Sequence, residues 1–121
     1  MQDFKQLEVW HKAYQLALSI YETTRVFPKE EIFGLTGQMR RVAISIPANI
    51  AKGCGRGSNA ELVRFLHIAM GSESELECQL MLSRDLELIE NGVYERINHN
   101  LVEVKRMLTG LTRKIKLADQ Q

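Results

Sequence analysis

Ile97, Leu101, Val104, Leu108, Leu111 and Ile115 recur at spacings of 4, 3, 4, 3 and 4. No other feature of the chain restricts its fold as strongly. This rhythm gathers apolar side chains on one side of an α-helix, whereas a strand would alternate its faces every second residue. Arg96, Glu103, Lys105, Arg106 and Lys114 fill the opposite side. The pattern predicts a bundle helix over about 93–117, opening just after Asn91-Gly92.

Three earlier stretches follow the same rule. Val9, Ala13, Leu16 and Ile20 predict a helix near 7–26, which Pro28 ends because the residue before a proline is pushed out of the α region. Leu35, Met39, Val42, Ile46 and Ile50 predict a second helix near 36–52, with Thr36 as N-cap, a kink or tight turn at Pro47 and Gly53 as the left-handed closing residue. Ser58-Asn59-Ala60-Glu61 is a capping box that opens a third helix, near 59–90, whose inner face is Leu62, Phe65, Leu66, Ala69, Leu76 and Leu80. Glu73 lies near the centre of that face and is its one misfit. Strand-like alternation is missing from the whole sequence. Four helices joined by short connections specify an all-α fold, an antiparallel up-down-up-down four-helix bundle, as a single domain over residues 1–121.

Some apolar side chains exceed what one such bundle can bury. Trp10, Tyr14, Ala17 and Tyr21 form a second stripe about 100° around the first helix from the core face. Leu82, Leu86 and Ile89 lie off the Leu62/Leu80 face of the third. Contiguous surplus of this kind marks interfaces, so Trp10, Tyr14, Tyr21, Leu82, Leu86 and Ile89 are the expected contacts of a homo-oligomer. A closed ring needs two different patches that meet, and the two stripes lie on different helices.

Charge and cysteine usage remove several classes of function. Sixteen basic and fifteen acidic residues leave a net charge of +1, which is not the signature of a strongly basic nucleic-acid or membrane-surface protein. Apolar runs end after three residues, as at Val42-Ala43-Ile44, so no membrane span is expected. Met1 to Lys5 carries an acid and leads into no apolar h-region, and the cytoplasm is the expected location. Cys54 and Cys78 are too few for a disulfide framework; Cys54, in a loop, is the expected oxidation target, and Cys78 a small packing residue.

Candidate chemistry is sparse. Glu8-Val9-Trp10-His11 has the Glu-x-x-His spacing of bundle metal sites, but no second copy exists and the core stripe turns His11 outward. A surface histidine is the plainer reading, with no metal and no cofactor expected. Nucleophile elbow, Walker loop and zincin motif are all missing, so the chain reads as no enzyme. Gly53-Cys54-Gly55-Arg56-Gly57-Ser58 reads as a helix–helix connection with positive φ at two or three positions, or as an anion site at a helix N-terminus. Around it Arg40, Arg41, Lys52, Arg56 and Arg64 stand with Glu61 as the only acid between positions 40 and 64. Phosphate contact and charge pairing between helices or subunits are both uses of such a cluster.

The block Gln38-Met39-Arg40-Arg41-Val42-Ala43-Ile44-Ser45-Ile46-Pro47-Ala48-Asn49-Ile50-Ala51-Lys52-Gly53 resembles the signature of the 23S rRNA-intervening sequence proteins, the S23 family. Gly55-Arg56, Arg64-Phe65-Leu66, Ile68-Ala69 and Gly71-Ser72 through Glu75-Leu76-Glu77 are similar to its next segment, and Leu7-Glu8-Val9-Trp10, Ala13, Phe27-Pro28 and Phe33-Gly34-Leu35-Thr36 also match. Lys52 stands where the family pattern has glutamate, and Glu73 where it has an apolar or small residue. The resemblance implies a bundle that assembles into a homopentamer. It also implies a link to nucleic acid, since some members are encoded within ribosomal RNA genes and a related retroelement accessory protein binds nucleic acid through a basic surface. Two functions are therefore expected as alternatives. One is a non-catalytic oligomeric module contacting structured RNA, or DNA, through Arg40, Arg41, Lys52, Arg56 and Arg64. The other is a protein–protein scaffold with no nucleic-acid contact.

Overall fold

The Ser58 hydroxyl accepts the Glu61 backbone N–H at 3.2 Å, and the third helix starts where the capping box places it. In the computed structural model, which describes residues 3–120, four helices follow one another: α1 (Glu8–Thr24), α2 (Leu35–Cys54), α3 (Asn59–Asp85) and α4 (Asn91–Asp119). Short 3₁₀ turns at Phe4–Gln6 and Lys29–Glu31 precede α1 and α2. Strands are missing among the described residues. Met1 and Gln2, at the head of the segment read for a signal, lie outside the described residues, as does Gln121.

Named contacts give the direction of each helix. Arg40, early in α2, bonds to Tyr21 and Thr24 at the end of α1. Gly53, late in α2, packs on Leu62 and Phe65, early in α3. Asn59 at the start of α3 donates to Asp119 at the end of α4, 2.8 Å away. Each helix thus runs against the one before it, and the Lys12–Glu103 ion pair closes α1 onto α4. The core is one cluster drawn from all four helices, with Ala13, Ile20, Met39, Ile46, Leu66, Leu80, Leu101 and Leu108 among its fully enclosed members.

Several boundaries and caps differ from the sequence reading, each for a local reason. Gly34 rather than Thr36 caps α2, and the Glu31 carboxylate accepts the Leu35 N–H at 3.2 Å, so Thr36 is buried in the first turn. Helix α2 is continuous through Pro47, with no tight turn there. Near it two side chains return to the backbone, Ser45 Oγ donating to Val42 O at 2.6 Å and Asn49 Nδ2 to Ser45 O at 2.7 Å. Gly53 is not left-handed. It stays helical because α3 crosses there, and the left-handed residue is Gly57, with φ of 86°. The two or three positive-φ glycines expected of this turn are therefore one.

Helix α3 stops at Asp85 rather than near 90, in a Schellman motif. Leu88 N–H reaches Ser83 O and Glu87 N–H reaches Arg84 O, both at 2.9 Å, with Glu87 at φ 62° in the position that usually holds glycine. In α4 the buried line runs through Leu101 and Leu108 to Thr112, leaving Leu111 only partly covered. At 100° per residue Thr112 lies closer than Leu111 to the line through Leu101 and Leu108, because a seven-residue repeat drifts about 20° per heptad on a straight helix.

Candidate functional site

The five basic residues that the sequence places around the glycine turn separate into two groups. Arg40 and Lys52 are twelve residues apart on one helix, about 18 Å at 1.5 Å per residue. The Arg40 guanidinium lies over the Tyr21 ring at 4.8 Å, with Nε donating to Thr24 Oγ1 at 2.8 Å and Nη2 to Tyr21 O at 3.3 Å. It ties α2 to one carbonyl and one hydroxyl in the last turn of α1, a structural task. Its neighbour Arg41 is exposed and makes no ion pair among the described residues.

Lys52, Arg56 and Arg64 do come together, where α2 hands over to α3. Phe65 organises them. Its ring is buried under the Arg64 guanidinium at 4.5 Å and the Arg56 guanidinium at 5.1 Å. Glu61 joins the same pair, with Oε2 at 2.8 Å from Arg64 Nε and Oε1 at 3.6 Å from Arg56 Nε. The Arg64 hydrogen bond holds the Glu61 carboxyl below the usual carboxylate range. Lys52, Gly55, Arg56 and Phe65 line a shallow hollow on the surface beside it.

Sequence reasoning did not join the end of α4 to this group. The antiparallel pairing that links Asn59 to Asp119 brings Arg113 and Lys116 alongside the start of α3, where they share a groove with His67. The signal for it was present in two separate observations, the basic enrichment of the last helix and the predicted up-down topology.

The apolar stripe of α1 lies on the surface except at Ala17, which is buried in the core. Trp10 is half-buried between Phe4 and Tyr14, with ring centroids at 4.9 and 5.0 Å. Tyr14, Leu18 and Tyr21 are exposed along the same side. The second expected stripe is divided by the end of α3. Leu82 and Leu86 are exposed, but Ile89 lies past the Schellman turn and folds back, partly buried against the core.

Other titratable groups fall differently from the sequence reading. His11 is exposed, its Nε2 donating to the Lys5 carbonyl at 2.9 Å. The cysteine expectation is reversed: Cys54 belongs to the last turn of α2 and is buried, whereas Cys78 is exposed on α3. Glu73 has no exposed surface at all, and Lys105 of α4 reaches towards it.

Among known proteins, residues 5–110 match the family described as 23S rRNA-intervening sequence protein. A crystal structure of a protein of unknown function from the S23 ribosomal protein family of Bacteroides thetaiotaomicron is similar to the chain at 27% identity and a TM-score of 0.80. The similarity covers 87% of this chain and 95% of that one. Curated proteins yield no match.

Proposed function

The chain belongs to the 23S rRNA-intervening sequence protein family, and from that premise we propose that it is a non-catalytic helical module contacting structured RNA through the basic end of its bundle. One observation carries this reading. Lys52, Arg56 and Arg64 share that end with Arg113 and Lys116, while the acids beside them, Glu61 and Asp119, already accept from Arg64 and from Asn59. The Arg56 and Arg64 guanidinium groups lie over Phe65. Arg64 gives Nε and Nη2 to Glu61, so its remaining N–H groups and those of Arg56 and Lys52 are the donors left for phosphate oxygens. Arg40 contributes little to this contact, since its donors are turned to α1.

A gel shift on ribosomal RNA fragments across a salt series tests the reading. Affinity should fall steeply as salt rises, and neutralising Lys52, Arg56 and Arg64 together should flatten that dependence by about one unit of log–log slope per lost phosphate contact. Binding that ignores salt, or no retention at low salt, overturns it. An RNA partner makes the cytoplasm the place of action.

The α1 surface favours a second reading, a self-assembling scaffold. Trp10, Tyr14 and Tyr21 give one patch, and Leu82 and Leu86 with the partly covered Ile89 give another, as a closed ring requires. Five subunits is the number the family resemblance suggests. Replacing Trp10 with Ser and Tyr14 with Glu should give a smaller species in light scattering with its helical circular dichroism intact. A monomeric unmodified protein at micromolar concentration excludes this second reading.

A further inference from the structure

At the basic end of the bundle, where α1 begins, Phe4, Trp10 and Tyr14 stand in a row. The Phe4 and Trp10 ring centroids are 4.9 Å apart, and those of Trp10 and Tyr14 are 5.0 Å apart with the planes inclined by 32°. Phe4 and Trp10 are partly buried against the core, but Tyr14 is 45% exposed. Trp10 backs one face of the Tyr14 ring. Tyr21 is covered by Arg40, and Phe65 by Arg56 and Arg64. Tyr14 has no such cover among the described residues, so its second face is open.

The packing of α1 on α2 puts cations beside this row. Arg40 lies on Tyr21. Lys52 is twelve residues further along α2, and Trp10 is eleven residues back along α1. In an antiparallel pair rising 1.5 Å per residue, Lys52 therefore stands level with Trp10. It is exposed and lines the hollow that holds Arg56. Lys5 is exposed at the foot of the row, its Nζ 5.9 Å from the Phe4 centroid. Neither lysine makes an ion pair among the described residues. The acids nearby are engaged elsewhere. Asp3 accepts the Lys5 backbone N–H at 3.0 Å, and Glu8 lines the groove on the α4 side with Lys12 and Arg96. Cations beside an open aromatic face suit a strand that carries a phosphate and a flat base at every step. Bases inside an RNA helix hide their faces in the stack, so only unpaired nucleotides can offer one to Tyr14.

We propose that the RNA is gripped at an unpaired segment, its phosphates meeting Lys52 and Arg56 while one base stacks on Tyr14 and extends the row from Phe4 and Trp10. This rests on the RNA reading and adds its substrate class. The basic end supplies affinity for any strand, and Tyr14 supplies the preference for single strands over duplex. The self-assembly reading would instead bury this face against a second copy.

Trp10 is the only tryptophan of the chain, so its fluorescence reports on the row directly. The full chain is titrated with a short RNA strand of mixed sequence, alone and annealed to its complement. The single strand should quench Trp10 and bind about tenfold more tightly than the duplex. Tyr14→Leu should weaken single-strand binding about tenfold and leave duplex binding unchanged. Tyr14→Phe keeps the ring and should bind as the unmodified chain does. Helical circular dichroism checks that both variants fold. Equal binding of strand and duplex, or equal affinity of the two Tyr14 variants in folded protein, overturns the stacking. The RNA reading still stands in that case if binding is lost when Lys52, Arg56 and Arg64 are neutralised. Failure to bind either RNA removes both. Trp10 emission that ignores RNA and changes on dilution of the protein alone overturns the proposal in favour of the self-assembly surface.

Discussion

Lys105 Nζ on α4 lies 3.7 Å from Oε1 of Glu73, a carboxyl on α3 that has no exposed surface. The lysine is closer to Glu77, at 2.8 Å, and as a carboxylate Glu73 meets no hydrogen-bond donor with either oxygen. Burial pushes Glu73 up to about 8, the Glu77 carboxylate adds to the rise and Lys105 opposes it. Glu77 is held below the usual carboxylate range, first by the hydrogen bond that protonated Glu73 can donate and then by Lys105. At neutral pH the pair is therefore expected to hold one proton between its two carboxyls.

This arrangement sets a pH dependence with a definite sign. A carboxyl whose pKa is raised on folding contributes stability that is complete below its unfolded value and lost as pH rises through its folded value, here about 8. Stability should fall between about pH 5 and pH 8, at up to about 1.4 kcal/mol per pH unit. The lowered Glu77 acts with the opposite sign and below this window. Urea melts at several pH values check the effect, and Glu73→Gln should flatten the profile and stabilise the protein most at pH 8. A slope unchanged by Glu73→Gln would assign the dependence to other groups.

Arg40 is expected to affect folding and not RNA. Arg40→Gln removes the bonds to Thr24 Oγ1 and Tyr21 O and the stacking on Tyr21, at a cost of about 1–2 kcal/mol. The same variant should leave the salt dependence of RNA retention where it was. Parallel urea melts and gel shifts separate the two effects.

At Gly53 the backbone of α2 approaches α3 so closely that an added Cβ would stand 2.9 Å from Phe65 Cβ and 3.0 Å from Leu62 Cδ1. Gly53→Ala should therefore destabilise by about 1–3 kcal/mol, overriding alanine's better helix propensity. Gly110, with nothing within 4 Å of such a Cβ, is the control. There alanine should stabilise by up to about 1 kcal/mol.

Glu87 ends α3 with a φ of 62°, a conformation that L-residues adopt at a cost of about 1–2 kcal/mol and glycine adopts freely. Glu87→Gly should raise stability by about 0.5–1 kcal/mol, the remainder being offset by the greater freedom of glycine in the unfolded chain. A lower melting temperature would mean that the Glu87 side chain has a role of its own.

The two thiols should differ in reactivity. Cys78 is exposed, whereas Cys54 is enclosed at the end of α2 and burial pushes its thiol up. Under native conditions one thiol per chain should react promptly with a maleimide, and peptide mapping should place the label on Cys78. Prompt labelling of Cys54 would show that the last turn of α2 opens readily.

By itself the sequence determined the four helices, the antiparallel bundle and most of the core. Periodicity and capping are short-range: Ile97, Leu101, Val104 and Leu108 can share a face only on a helix, and Ser58 with Glu61 can begin α3 without reference to the rest of the chain. The interior of helices was legible for the same reason, and their ends less so. The stop at Asp85 depends on backbone bonds made by Glu87 and Leu88, which no apolar pattern announces. Partnership between side chains was decided only by the tertiary structure. Arg40 and Arg64 are equivalent as residue types, yet one covers the end of α1 and the other flanks Phe65 beside Glu61. Cys54 and Cys78 exchanged their expected exposure because the α2–α3 crossing at Gly53 encloses the last turn of α2. Glu73 was visible as a misfit, but the proton it is expected to share and its neighbour Lys105 follow from the rotation of α3 against α4. The rotation of each helix and its pairing with its neighbours are set by the packing of all four together, and that information is distributed over the whole chain rather than held in any local pattern.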